Sequence, residues 1–131
     1  MNITDKAINY DAVCAIDGVD PIASLPYPSS KTDDEVAINS FAKVIRINRV
    51  LNEGWQPDWN DDDQYKYYPW FDMEAYGEDA GSGVGFSFND YYYDDSLSYV
   101  GSRLVYPTRE LAKFAGETFL AEYRGFMVIE K

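Results

Sequence analysis

Carboxylates are the most abundant groups in this chain that could do chemistry, and their spacing limits what that chemistry could be. Asp58, Asp61, Asp62 and Asp63 crowd one short stretch. A calcium loop of the EF-hand type needs oxygen ligands at alternate positions, a Gly at the sixth and a Glu at the twelfth. Counted from Asp58, those two positions hold Asp63 and Pro69, so the pattern fails at both. A solvated turn is the simpler reading, and no metal is expected. Asp72, Glu74, Asp90, Asp94 and Asp95 offer further acids for paired acid/base work of the glycosidase kind. Sequence places no two of them at the required separation. His is absent, which removes the commonest general base and metal ligand. Cys14 therefore has no imidazole to activate it, and among Ala, Val and Ile it reads as a small core residue. The run Gly81-Ser82-Gly83-Val84-Gly85 precedes a β-like stretch rather than opening a helix, and no Lys-Ser or Lys-Thr pair follows. It reads as a hairpin loop, not a phosphate cradle. The expectation is a protein without enzymatic activity or cofactor. A small carboxylate- or cation-dependent enzyme is the alternative if two acids meet in a pocket.

The aromatic residues are more unusual. They make up 17% of the chain, with 12 Tyr and 3 Trp, well placed for half-buried and interface positions. Trp55, Trp59, Tyr65, Tyr67, Tyr68, Trp70 and Phe71 follow one another closely, with Tyr91 and Tyr92 further on. A single-strand nucleic-acid platform would interleave such rings with Lys or Arg, whereas Lys66 is the one base between residues 58 and 95, against 11 acids. The flanking segments are near neutral, so most of the net charge of −12 lies in the middle third. Such a chain repels phosphate backbones and anionic membranes, so neither direct nucleic-acid nor membrane binding is expected. Alternate rings should fill the core and the rest face outward. The candidate protein-binding set is Trp55, Trp59, Tyr68, Trp70, Tyr91 and Tyr92 with Asp61, Asp62, Asp63, Asp94 and Asp95. Arg103 is expected to be partly buried and paired with an acid of the middle segment.

The elements that must position these residues follow from periodicity. Residues 3–16 predict a short helix capped by Thr4, with Ile8, Ala12 and Ala15 on one face and Gly18 ending it. Residues 17–32 hold Pro21, Pro26 and Pro28 and read as an ordered arm anchored by Ile22, Leu25 and Tyr27. Residues 33–53 predict the strongest helix, capped by Thr32 or Asp33. Its apolar stripe runs through Ala37, Phe41, Val44, Ile45, Asn48 and Leu51, opposite basic Lys43, Arg46 and Arg49, and Gly54 stops it. Strands are predicted at 65–73, interrupted by Pro69, at 84–93 and at 98–106. Thr108 caps a helix from 109 to about 124, and residues 126–130 suggest a last short strand or packed tail. The expected fold is α+β: one domain over 1–131, with an N-terminal helix and arm (1–32) and an α-β-β-β-α core (33–131). Its small antiparallel sheet would have three to four strands and helices on one face. A lone Cys and the absence of a cationic, apolar leader in MNITDKAINY predict a cytosolic protein, or one packed inside a particle assembled in the cytosol.

The segments LNEGWQPDW (51–59), YKYYPWF (65–71) and GSRLVYPTRELAKFAGETF (101–119), with the N-terminal ITDKAINYDAVCAI, resemble a family of small proteins of Bacteroidetes genomes, their mobile elements and their phages, including crAss-like phages. The resemblance covers the chain from about residue 33 onward. It implies a phage or mobile-element origin and carries over no activity, cofactor or functional residue. Where that family has Cys after Gly-Ser-Arg-Leu, this chain has Val105. Together with the acidic middle segment, the origin suggests a non-enzymatic protein that binds a protein partner with a basic surface, such as a host defence protein that grips nucleic acid. A virion structural or accessory protein, forming homo-oligomers through the Pro-rich arm and the Pro69 edge, is the second expectation.

Overall fold

A computed structural model describes residues 2–73 and 87–129. The glycine-rich run 81–85 lies outside them. The N-terminal helix is two helices, α1 (Ile3–Lys6) and α2 (Tyr10–Asp17). The break has a local cause: the Asn9 side chain accepts the N–H of Ala12 at 2.8 Å and starts α2 afresh. Thr4 lies within α1, whose N-cap is Asn2. The buried face is Ala7, Tyr10, Val13 and Cys14, while Ile8 and Ile16 are exposed. Gly18, at φ 74°, closes the helix as expected.

α3 (Asp33–Asn52) matches its predicted span. Thr32 Oγ1 accepts the N–H of Glu35 at 3.1 Å, and the Glu35 carboxylate reaches back to the N–H of Lys31 at 2.7 Å. These bonds satisfy donors that the first turn leaves without helical partners. The left-handed turn at the far end falls first on Glu53 (φ 50°) and then on Gly54 (φ 91°). Val44, Ile47, Val50 and Leu51 are buried, but so are Asn39, Ser40, Asn48 and Asn52. Asn48 and Asn52 both donate to the carbonyl of Val105, at 2.8 and 2.9 Å, which satisfies the main chain of a buried loop. Asn39 makes two bonds to the main chain of Tyr27 and holds the arm against the protein's own helix.

The basic side of α3 is a docking face for α2. Arg46 bonds Asp17 (3.1 Å), the Tyr10 hydroxyl (2.8 Å) and Ser24 (3.0 Å), and Arg49 grips both oxygens of Asp17 at 2.8 Å. The Arg49 bonds, with both arginine charges, hold the Asp17 carboxyl below the usual carboxylate range.

β1 (Lys66–Asp72) pairs antiparallel with β2 (Ser87–Asp94), with a bulge between Trp70 and Phe71 that leaves Asn89 as the extra residue. Among the described residues this is the whole sheet. The strand expected at 98–106 is reduced to one bridge, in which Tyr67 and Tyr106 exchange both main-chain bonds at 2.9 and 2.7 Å. Turns occupy the rest of that stretch, fixed by Ser98 Oγ taking the N–H groups of Val100 and Gly101. Since Tyr67 bonds toward Tyr106, Pro69, two residues on, also turns its nitrogen to that side. Its missing N–H costs no bond to β2.

The predicted C-terminal helix is likewise two: α4 (Arg109–Thr118), capped by Thr108, and α5 (Leu120–Met127). The chain bends at Phe119 (φ −110°, ψ 33°), which is fully buried at the joint. Met127 ends a helix rather than joining a strand. α4 packs on the sheet and α5 on α3. Gly125 permits the second contact, because a Cβ there would stand 2.6 Å from Ser40 Cβ. Tyr67, Phe71 and Tyr91 join the core with Val44, Ile47, Leu51, Ala112, Ala115 and Tyr123, so the helices gather on one face of the hairpin. The result is α+β. No helix among the described residues is long and apolar enough to cross a membrane.

Candidate functional site: the acidic, aromatic hairpin

Strand alternation sorts the rings. Tyr67, Phe71 and Tyr91 point toward the helices, whereas Lys66, Tyr68 and Trp70 take the opposite face, across from Asp94 and Tyr92. Lys66 organises one end. It is fully buried, and its ammonium donates to the carbonyls of Asp61 (2.9 Å) and Asp95 (2.6 Å) and lies 5.1 Å from the Trp59 ring centroid. One internal cation thus ties the 58–63 loop to the residues that follow β2. Trp59 closes over it, its indole N–H bonded to Ser102 at 2.7 Å. Ser96 Oγ donates to the Asp62 carboxylate and links the same two loops.

The aspartates have separate jobs. Asp58 and Asp61 accept main-chain N–H groups two residues ahead, from Asn60 and Asp63, each at 2.9 Å. These are turn-forming bonds characteristic of Asp. Asp95 takes the N–H groups of Ser96 and Leu97, which, with help from Lys66, hold its carboxyl below its ordinary value. Asp94 is buried and accepts the Ser98 hydroxyl at 2.8 Å. Beside it the buried Tyr68 phenol is pushed up to about 12, by burial first and then by the Asp94 charge. Asp61, Asp62, Asp63 and Asp95 are exposed. Because Lys66 is internal, this end of the hairpin presents acid to solvent with no neighbouring base of its own segment. Among the described residues no three carboxylates, Cys or His are arranged to hold a metal ion.

The exposed rings form a continuous strip that crosses faces, with Tyr65 and Tyr93 on the side of Tyr67 and with Tyr92 and Trp70 on the opposite side. Tyr65 and Tyr93 stack at 4.5 Å, Tyr93 and Tyr92 at 5.6 Å, and Tyr92 meets Trp70 edge-on at 4.7 Å. Their exposures are similar, 45% for Tyr65 and Tyr93, 42% for Tyr92 and 52% for Trp70. Each ring is therefore part packed and part wet. Tyr99, 85% exposed, follows in the loop after β2.

Of the residues expected at a binding surface, the hairpin brings together Trp59, Asp61, Asp62, Asp63, Trp70, Tyr92 and Asp95 around the buried pair Tyr68 and Asp94. Tyr91 packs inward, 5.7 Å from Tyr67. Trp55 stands apart, lining a cavity of about 460 Å³ at the end of α3 with Asn52, Pro57 and Arg103. Arg103 is exposed rather than partly buried, and it forms no ion pair among the described residues. Tyr65, Tyr93 and Lys66 were not in the expected set. Alternation from Trp70 would have placed Lys66 on the outer face, but its carbonyl partners are set by tertiary folding. No protein-family model, curated protein or solved structure matches the chain.

Proposed function

We propose that this protein acts by binding a protein partner through the outer face of its hairpin, and that the partner carries a basic surface of the kind that grips nucleic acid. The observation that carries this reading is the burial of Lys66. It leaves Asp61, Asp62, Asp63 and Asp95 as an acidic rim beside half-exposed Tyr and Trp rings. Aromatic anchors ringed by polar groups are what protein interfaces use, and an acidic rim speeds encounter with a basic partner. An inhibitor of phage or mobile-element origin directed at a nucleic-acid-binding host protein fits both features, working in the host cytoplasm and without catalysis.

The test is affinity purification of tagged protein from the infected host at low and moderate salt, beside the triple variant Asp61→Asn, Asp62→Asn, Asp63→Asn. A single host partner, weakened by salt and by the triple variant, is the expected result. A partner whose capture ignores both would end the acidic-surface reading. Recovery of capsid, portal or tail proteins would replace it with virion assembly.

A further inference from the structure

We infer that the hairpin strip reads arginine in preference to lysine. The inference rests on the binding function proposed above and specifies the partner chemistry at the same surface. Two observations carry it. First, Tyr65, Tyr93, Tyr92 and Trp70 form an unbroken series of ring contacts at 4.5–5.6 Å, each ring part exposed. Second, exposed carboxylates lie at the Tyr65–Tyr93 end. Asp61, Asp62 and Asp63 precede Tyr65 closely, Asp95 follows Tyr93 by two residues, and Lys66 holds both loops to that end.

This combination suits a guanidinium group better than an ammonium. The planar guanidinium lies flat on an aromatic face while its edge N–H groups bond a carboxylate in two places, and it sheds water more readily. A lysine ammonium is a compact, strongly hydrated point charge, and gains mainly the Coulomb attraction. The partner surface is therefore one in which arginines project over the strip, with further basic groups meeting the acidic rim.

The experiment titrates the full chain with two peptides of equal length and charge, one bearing arginines and the other lysines at the same positions, by calorimetry at low and moderate salt. The arginine peptide is expected to bind roughly tenfold more tightly, the scale of one or two partly desolvated cation–π contacts. Tyr92→Leu with Tyr93→Leu keeps apolar bulk but removes two ring faces. It should lower arginine-peptide affinity to that of the lysine peptide, with circular dichroism checking that the variant is folded. Equal affinities for the two peptides would overturn the arginine inference and leave the acidic-surface reading standing. Binding of neither peptide would overturn both.

Discussion

The ammonium of Lys66 lies 5.1 Å from the centre of the Trp59 ring, and both residues belong to the most acidic third of the chain. The contact turns the segment's one base into an internal tie. Its N–H groups go to the carbonyls of Asp61 and Asp95, residues far apart in sequence, so it joins, together with the Ser96–Asp62 bond, the two loops that carry the acidic rim.

Lys66→Ala removes a charged donor from two carbonyls and opens space beneath Trp59. A loss of about 3 kcal/mol is expected, the scale of charge-assisted bonds together with a cavity. Urea unfolding followed by Trp fluorescence measures it. An unchanged midpoint would mean that the loops hold each other without the lysine.

Gly125→Ala should destabilise by about 2 kcal/mol, because the added methyl meets the Ser40 Cβ and the two helices must separate. Adding Ser40→Gly relieves the overlap, so the double variant should lose less than the sum of the single losses. Thermal melts of the four proteins in the cycle decide the point.

Asp17 sets part of the acid limb. Its carboxyl is held below the ordinary carboxylate range by the Arg49 bonds first, assisted by both arginine charges. A lowered folded value means that the stabilisation is complete above the unfolded value and is lost as pH falls through the folded one. Asp17→Asn should therefore be less stable at neutral pH and show a flatter decline below pH 4. Parallel declines for the two proteins would exclude Asp17 as a source of acid sensitivity.

The alkaline limb belongs to tyrosine. Burial pushes Tyr10, Tyr68 and Tyr106 up to about 12 from 10.0. Their folded values are raised, so their contribution is intact below the unfolded value and is lost as pH climbs from 10 toward 12. Tyrosinate absorbance recorded alongside circular dichroism should show a cooperative step above pH 10 in which the buried rings ionise as helix is lost. Smooth titration of every ring near 10 with helicity retained would contradict this.

Helix boundaries governed by nearby groups were legible in the sequence: Thr32 and Thr108 cap where expected, and Gly18 ends α2. The interruption expected at Pro69 is not seen: β1 runs through it in register with Tyr91, and the bulge falls on the facing strand at Asn89. Features set by distant partners were not legible. Asn48 and Asn52 are buried because the Val105 carbonyl, more than fifty residues away, needs donors. Residues 98–106 look strand-like, yet only Tyr106 finds a main-chain partner, since Ser98 and Asp94 hold the start of the segment in turns. The bend at Phe119 lets one ring fill the joint between helices, and no Gly or Pro marks it. The aromatic, acidic character of the site was plain in composition. Its exposed strip was only partly identified, because Tyr65 and Tyr93 owe their roles to cross-strand register.

Pro69 has a last consequence, for solubility. A run such as Tyr-Lys-Tyr-Tyr-Pro-Trp-Phe, rich in strand-forming rings, would otherwise template the stacking of further chains along its outer margin. With Tyr106 joined at one point and an imino nitrogen at the next on that side, the margin offers no continuous row of donors. The proline therefore removes from this margin a donor that a further strand would need, and its ring is buried there.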